Sequence, residues 1–168
     1  MKKIDKKEVI SDLAVIAIAV MVFYLISKFL AMPISVHGTS MEDTIKENSV
    51  GLSFYYDLDN IERFDIVVVD TNQDKLLFKR VIGLPNETIE YKNNKLFVDG
   101  KEVKEEFLDT STYTGDYSIS LKDNEYFCLG DNREVSNDSR YYGTFKKEDI
   151  VSSHVFLIYP FNRIGFYK

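Results

Sequence analysis

The clearest pattern along the chain is an almost unbroken apolar run near its N-terminus. Residues 13–32 are nearly all apolar and are interrupted only by Ser27 and Lys28. About 20 such residues cross the hydrocarbon core as a helix, and a lysine near the end of the helix can extend its amine to the interface. The pattern predicts a transmembrane anchor at 13–32, after a short tail at 1–12 and before a separate domain at 33–168.

The charges around this run predict its orientation. Lys2, Lys3, Lys6 and Lys7 precede the run, and few cations follow it closely. The positive-inside rule therefore predicts a cytoplasmic N-terminus, a single pass through the plasma membrane and an extracytoplasmic domain at 33–168. A cleavable signal peptide is the alternative. It fits less well, because the apolar run is long and no small-x-small cleavage site follows it.

Beyond the anchor, the apolar positions change to short stretches that are typical of β-strands. Pro33 is expected to end the helix. Residues 107–121 are polar and predict a loop, and helical periodicity is sparse. The chain is therefore predicted to be mostly β, with an antiparallel β core behind one N-terminal transmembrane helix. The predicted strands lie at 34–36, 53–56, 64–69, 76–82, 88–91, 96–98, 126–129 and 151–159, with turns at 93–94 and 99–100.

Composition excludes several classes of function. The net charge is −6 although lysines crowd the N-terminus, so the domain after the anchor is more acidic still and nucleic-acid binding is not expected. The chain has one cysteine and two histidines, and no zinc-binding motif is present. We therefore predict no metal and no other cofactor. Cys128 stands in an apolar run and is expected to be a small buried side chain.

The first candidate for chemistry is Ser40, in the stretch 38–44. It lies eight residues beyond the predicted anchor, so it must act near the membrane surface. A serine hydroxyl is a weak nucleophile and needs a base beside it. Residues 39–42 also match a helix capping box, with Glu42 at its third helical position. On this stretch alone, a helix cap and a nucleophile are equally good interpretations of Ser40.

Three side chains are candidates for that base. His37 lies three residues before Ser40, on the opposite face of an extended segment, and His154 has no carboxylate near it in the sequence. Lys79 stands in a strand with two apolar faces, where burial would lower its pKa and let the neutral amine accept a proton. A lysine that extends its amine to water is the alternative. The adjacent Arg80 stays charged and is expected to form an ion pair.

A polar loop at 130–140 is the third element. It is dense in turn-forming and hydrogen-bonding residues. Asp138 and Arg140 could pair there, and Ser136 or Ser139 could orient a neutral amine. The alternative is a surface loop held by Asx turns and exposed salt bridges. The spacing of a calcium-binding EF-hand is absent.

Taken together, these stretches resemble bacterial type I signal peptidases, which are membrane-anchored enzymes with a Ser-Lys dyad. Residues 38–41 are similar to the nucleophile motif and 64–68 to the strand that follows it. Residues 78–85 resemble the general-base motif, and 130–140 resemble the last motif. The resemblance runs from about residue 36 to the C-terminus and implies an antiparallel β catalytic core.

The resemblance also implies a role for each matching residue. Ser40 would attack the scissile carbonyl, Lys79 would be the general base and Ser136 would hydrogen-bond the lysine amine. The Ser40 N–H, with Gly38 nearby, would form the oxyanion hole. The supporting polar network would consist of Arg80, Asp131, Asp138 and Arg140. The substrates would be signal peptides of exported preproteins, cleaved after small side chains, and the partners would be the lipid bilayer and the translocation machinery.

The chain departs from the family pattern at two positions. Asp43 stands where the family usually has proline, which would loosen the turn after Ser40. Negative charge at Glu42 and Asp43 would raise the pKa of Lys79 if it faced the amine, so both side chains are expected to point to solvent. Asn86 stands where the family has glycine. Alternatives are a specialised relative that serves a pilus, a non-catalytic extracytoplasmic assembly factor, and a self-cleaving repressor-type peptidase, which the apolar run disfavours.

Overall fold

The computed structural model describes residues 6–42, 44–55, 58, 60–71, 75–109 and 111–168. Within them, an N-terminal helix precedes a domain of twelve strands, one short α-helix and two short 3-10 helices. The N-terminal half consists of α1 (Lys6–Phe29), β1 (Ala31–Ser35), β2 (Val50–Phe54), β3 (Ile66–Asp70), β4 (Leu76–Gly83), β5 (Thr88–Lys92), β6 (Lys95–Val98) and β7 (Lys101–Val103). The C-terminal half consists of β8 (Tyr117–Ser120), β9 (Glu125–Leu129), α2 (Ser139–Tyr142), β10 (Phe145–Lys146), β11 (Ile150–Tyr159) and β12 (Gly165–Tyr167).

Eight of the strands form one large antiparallel sheet. Its order is β1-β2-β11-β3-β4-β9-β10, and β12 pairs with β11. The long strand β11 bridges β2 and β3 and shifts register between Ser153 and Val155, where His154 has a φ of 54°. Because such bulges bend a strand, β11 can turn the sheet across its length. The predicted antiparallel β core is therefore confirmed.

The other four strands form a small sheet in the order β7-β6-β5-β8. Its two predicted turns are present. Asn93 and Asn94 have φ values of 51° and 61°, and Asp99 and Gly100 have 49° and 77°, as tight hairpins require. The prediction of a loop at 107–121 is wrong in part, because β8 pairs with β5 and forms an edge of this sheet.

Three apolar clusters fill the interior, and two of them determine where the polar loops lie. One cluster contains Ile82 and Phe127 of the large sheet with Ile89 and Leu96 of the small sheet, so it joins the two sheets. A second cluster lies under the chain that follows β1 and includes Ile34, Ile66, Val155 and Leu157. Cys128 belongs to the third cluster and is buried, as predicted.

Helix α1 and the start of the domain differ in detail from the prediction. The helix ends at Phe29, and Ala31, Met32 and Pro33 already pair with β2. Pro33 is tolerated there because β1 is an edge strand. The apolar side chains of α1 between Val9 and Leu25 are exposed. Across the described residues, we find no helix that is both long enough and apolar enough to span a membrane.

Candidate active site

The centre of the site is a lysine buried inside the large sheet. Lys79 lies in β4 opposite Val67 of β3 and is only 1% exposed. Its Nζ donates hydrogen bonds to Ser40 Oγ at 2.8 Å and to the carbonyl oxygen of Phe78 at 2.9 Å. The structure thus brings together the predicted nucleophile and the predicted base, although 39 positions separate them in the sequence.

Burial controls the protonation of this lysine. Removal from water lowers the pKa of Lys79 from 10.5 to about 8, because the low-dielectric interior disfavours the charged amine. Interactions with Asp138, Cys128 and Asp131 act in the opposite direction, and Arg140 adds to the lowering. A useful fraction of the amine is therefore neutral near physiological pH, as a general base requires.

Ser40 lies in a turn that apolar side chains hold against the sheet. Met41 and Ile45 are buried in the cluster beneath it, at 1% and 0% exposure. The Glu42 N–H donates to the Thr39 carbonyl and the Ile45 N–H to that of Met41. These described residues form turns, so the helix that a capping box would begin is not formed. Ser40 itself stays partly exposed and can be reached from outside.

A small cavity of about 80 Å³ opens beside Ser40. Other cavities in the described structure measure about 280 to 510 Å³. The small size of this cavity restricts which side chain can enter next to the Ser40 hydroxyl. Its lining consists of Ser35, Val36, His37, Ser40, Met41, Leu76, Leu77 and Phe78.

The polar loop after β9 contacts the Ser40 turn directly. The Asn132 N–H donates to the Ser40 carbonyl at 3.0 Å, and its side-chain amide donates to the Thr39 carbonyl at 3.1 Å. Gly130 passes so close to the Ser40 carbonyl and to Ser136 that a β-carbon at this position would overlap both. Only glycine fits there without displacing the Ser40 turn.

Two ion pairs brace this loop. Arg80 binds Asp131 through two hydrogen bonds, at 2.9 and 2.7 Å, and both side chains are buried. Thr44 Oγ1 also donates to Asp131, at 2.5 Å. Arg140 binds Asp138 in the same two-point manner, at 2.9 Å for each bond. The four predicted members of the polar network therefore form two separate pairs.

Asp138 additionally fixes the backbone. Its carboxylate accepts the Gly130 N–H at 3.1 Å and the Arg140 N–H at 3.2 Å, so it caps α2 and holds the loop at the same time. Arg140 Nη2 donates to the Arg133 carbonyl at 2.7 Å. These contacts make the loop a rigid support rather than a surface turn.

Two predicted contacts are not made in this structure. Ser136 Oγ is buried and has no hydrogen-bond partner among the described residues, so it does not bind the Lys79 amine. The other candidate, Ser139, accepts the Cys128 N–H at 2.9 Å. The Gly38 N–H donates to Glu47 Oε1 at 3.2 Å and is therefore engaged away from an oxyanion.

The two histidines lie outside the Ser-Lys pair. His37 is exposed and its Nδ1 lies 3.0 Å from the Ser35 carbonyl. His154 Nε2 lies 3.9 Å from Asp65 Oδ1, a carboxylate neighbour that the sequence did not indicate. Within the described part of the chain, neither ring forms a hydrogen bond with Ser40. A Ser-His-Asp arrangement around Ser40 is therefore not formed.

Sequence reasoning missed a buried group on the far side of the loop. Arg133 is 2% exposed and binds Tyr91 of the small sheet and Glu105 in the loop after β7. Arg133 lies next to Asn132 in the polar loop at 130–140, and its place in that loop could have marked it as a candidate site residue. No local pattern marked Tyr91 or Glu105, because each lies in or beside an ordinary strand.

The two departures from the family pattern have different outcomes. Asp43 lies outside the described residues. Glu42 is exposed, as predicted. Asn86 has a φ of 67°, in the left-handed region that asparagine tolerates better than most residues, so it can replace glycine there.

The structure also shows no group of three or more His, Cys, Asp or Glu residues, within the described ranges, that could hold a metal ion.

Comparison with known proteins agrees with this geometry. The family model described as Signal peptidase, peptidase S26, matches residues 9–159. Signal peptidase IB of Staphylococcus aureus (strain COL) is 34% identical over 181 residues, covering 94% of this chain and 93% of that protein. Signal peptidase I of Bacillus amyloliquefaciens is 36% identical over 178 residues, covering 97% and 95% respectively.

A solved structure extends the similarity to the fold. The crystal structure of a signal peptidase I from Enterococcus faecalis V583 matches with a TM-score of 0.52 and 31% identity. The match covers 56% of this chain and 96% of that one. With a buried Lys79 hydrogen-bonded to Ser40, an antiparallel β core and a family match over most of its length, the chain belongs to the signal peptidase family, peptidase S26.

Proposed function

We propose that this protein is a serine endopeptidase that removes N-terminal signal peptides from exported preproteins, with Ser40 as nucleophile and Lys79 as general base. The observation that carries the proposal is the 2.8 Å hydrogen bond from Nζ of the buried Lys79, in β4, to Oγ of Ser40, in the turn beside it. A lysine with a lowered pKa beside a serine that can be reached from outside is the pairing that nucleophilic catalysis requires.

The reaction follows from these positions. Neutral Lys79 accepts the Ser40 proton while Oγ attacks the scissile carbonyl, and the negative charge moves to the carbonyl oxygen. The Ser40 N–H is a donor for this oxyanion. Protonated Lys79 then gives its proton to the leaving amine, which departs as the mature chain and leaves an ester on Ser40. A water molecule, deprotonated by Lys79, attacks the ester, and Lys79 returns the proton to Ser40 Oγ as the ester bond breaks. The signal peptide leaves as a carboxylic acid, which ionises in water.

The cavity beside Ser40 supports the substrate class. Its volume of about 80 Å³ suits a small side chain before the cleaved bond, and Val36 and Phe78 contribute apolar side chains to its wall. The relatives are named signal peptidases, and this chain covers 93% or more of two of them. Signal peptides with small residues before the cleavage site are therefore the substrates we assign to this enzyme.

We further propose that α1 holds the catalytic domain at a lipid bilayer, with residues 33–168 on the extracytoplasmic face. The exposed apolar side chains between Val9 and Leu25 support this, because so large an apolar surface is unfavourable in water. Cell fractionation tests the first statement, since the protein should sediment with membranes and resist extraction at alkaline pH. Protease added to intact spheroplasts tests the second, since it should degrade the domain only if the domain faces outwards.

A cleavage assay with purified protein tests the catalytic assignment. Wild type, Ser40→Ala and Lys79→Ala are incubated with a preprotein that has alanine at the first and third positions before its cleavage site. Each substitution should reduce kcat by more than about 1,000-fold, because nucleophile and base act as a unit. Lys95→Ala is the matched control, since this lysine forms only an exposed ion pair with Glu102 on the small sheet.

The outcome separates two functions. Cleavage by either active-site variant at the wild-type rate contradicts the Ser-Lys assignment. A non-catalytic assembly factor would instead give no turnover by the wild type, together with normal surface assembly in cells that carry Ser40→Ala.

A further inference from the structure

Arg133 is the centre of a buried cluster that the catalytic mechanism does not use. Its Nη2 donates to Glu105 Oε1 at 2.5 Å, and its Nη1 donates to the Tyr91 hydroxyl at 3.0 Å and to Thr114 Oγ1 at 2.8 Å. The Tyr91 hydroxyl in turn donates to Glu105 Oε1 at 2.7 Å. Burial raises the pKa of Tyr91 well above 10, so this hydroxyl stays neutral and keeps its proton for Glu105.

The cluster joins two parts of the fold that are distant in sequence. Tyr91 is in β5 of the small sheet, and Glu105 and Thr114 lie in the loop that connects β7 and β8 of that sheet. Arg133 follows β9 of the large sheet. Arg133 and Glu105 have side-chain exposures of 0% and 9%, and a charge buried to this degree needs its partner. The small sheet therefore fixes where Arg133 can lie.

Arg133 also contacts the turn that holds Ser40. Its Nε donates to the Gly130 carbonyl at 3.0 Å, which closes the turn at 130–133. Within that turn, the Asn132 N–H holds the Ser40 carbonyl, and Gly130 packs against the same carbonyl. A shift of Arg133 would move the turn, and the turn would move Ser40.

We propose that Arg133, Tyr91 and Glu105 are positioning residues. Through them, the small sheet keeps the Ser40 hydroxyl within hydrogen-bond distance of the Lys79 amine. The proposal rests on the function proposed above, since it assigns these residues to the same reaction. None of the three reaches the Ser40 hydroxyl or the Lys79 amine. They act through the backbone of Gly130 and Asn132.

This role predicts a specific kinetic signature. The cavity beside Ser40 is lined by β1, β4 and the Ser40 turn, none of which binds the Arg133 side chain. Loosening the cluster should therefore lower kcat and leave KM within about twofold of the wild-type value. It should also admit water to Lys79 and weaken the burial that lowers the pKa of this amine.

The pH profile is the second part of the signature. With less burial, the rising limb of kcat/KM should move to higher pH, because the base must lose a proton that it now holds more tightly. The other charged or ionisable groups that act on Lys79 are Asp138, Cys128, Asp131 and Arg140. None of the four is substituted in the variants below, so the shift reports movement of the turn that contains Asp131.

The experiment uses the full chain in detergent with Tyr91→Phe, Glu105→Gln and the control Glu102→Gln. Glu102 lies on the same sheet but forms only an exposed ion pair with Lys95. Tyr91→Phe should lower kcat about 3- to 10-fold, the value of one hydrogen bond. Glu105→Gln should lower kcat about 10- to 100-fold, because it leaves Arg133 without its counter-charge and displaces the turn. The control should match wild type.

Hydrogen exchange on the same proteins gives a readout that is independent of cleavage. The Gly130 and Asn132 amides donate to Asp138 and to the Ser40 carbonyl, so they should exchange faster in both cluster variants and not in Glu102→Gln. Tyr91→Phe removes a single oxygen, so it keeps the test available if Glu105→Gln does not fold.

Three results bear on the proposal. Lower kcat with unchanged KM, an alkaline shift of the limb and faster exchange at the two amides support it. The proposal is overturned if the variants fold and have the pH dependence of kcat/KM and the amide exchange rates of the wild type. This result is expected of a cluster that only stabilises the fold, and a lower yield of protein would not change the conclusion. Failure of the proposed function is distinct, since Ser40→Ala would then cleave as fast as wild type while the exchange measurement still decides the positioning role.

Discussion

Raising the pH from 7 to 9 should increase kcat/KM about tenfold and then give a plateau, because the rate follows the neutral fraction of Lys79. With a pKa of about 8, roughly 9% of the amine is neutral at pH 7 and roughly 91% at pH 9. An unshifted lysine at 10.5 would have about 300-fold less neutral amine at pH 7. The proposed role of Lys79 as base near neutral pH therefore depends on the lowering of its pKa by burial.

The assay is a cleavage measurement at substrate concentrations well below KM, between pH 6 and 10.5. The preprotein should have no histidine, cysteine or lysine within several residues of the cleavage site. The rise of kcat/KM with pH then reflects the ionisation of a group on the enzyme and not on the substrate. Circular dichroism at each pH shows whether the protein stays folded. A second activity measurement after return to pH 8 shows whether any decrease in activity is reversible.

Two results would refute the reasoning. An increase of about 100-fold between pH 7 and 9, without a plateau, would indicate a lysine that retains its ordinary pKa. An increase of less than about 1.5-fold would indicate a base that titrates near 6.5 or below, and would contradict a pKa of about 8 for the Lys79 amine. The expected tenfold increase lies well apart from both.

Three further changes test other parts of the site. Lys79→Met should abolish cleavage but raise the free energy of unfolding at pH 7 by about 2 kcal/mol, since the buried amine is costly below its folded pKa of about 8. In urea titrations wild type should accordingly gain stability between pH 8 and 10.5, and the variant should not. Gly130→Ala should lower kcat about 100-fold in stopped cleavage assays, because its β-carbon displaces Ser40. Asp131→Asn should lower the free energy of unfolding by about 3 to 5 kcal/mol in the same urea titrations, because Arg80 is left buried without its counter-charge.

Much of the fold follows from local sequence patterns. Strands such as β3 and β4 have apolar residues on both faces, and the turns at 93–94 and 99–100 use residues that tolerate positive φ. Strand β8 escaped prediction because it is short and lies at a sheet edge, where half of its side chains stay in water. Its pairing with β5 depends on tertiary contacts that no local pattern encodes.

Some residues of the candidate site could likewise be recognised from local sequence patterns, whereas others could not. Local features, a short turn and a cation in an apolar strand, made Ser40 and Lys79 candidates, and the resemblance to a known family gave them their expected roles. The Arg133 cluster joins positions 91, 105 and 133, which only the packed sheets bring together. The predicted hydrogen bond from Ser136 to Lys79 is absent, because side-chain direction in a tight loop depends on its packing against Gly130.

The burial of Cys128 has a practical consequence for work on this enzyme. It is the only cysteine in the chain, and burial raises the pKa of its thiol, so reagents that require an exposed thiolate should not modify it. A cysteine introduced at any exposed position is then the one reactive thiol on the native protein. Fluorescent labels, spin labels and photocrosslinkers can be attached singly, without first replacing a buried residue that lies beside Lys79.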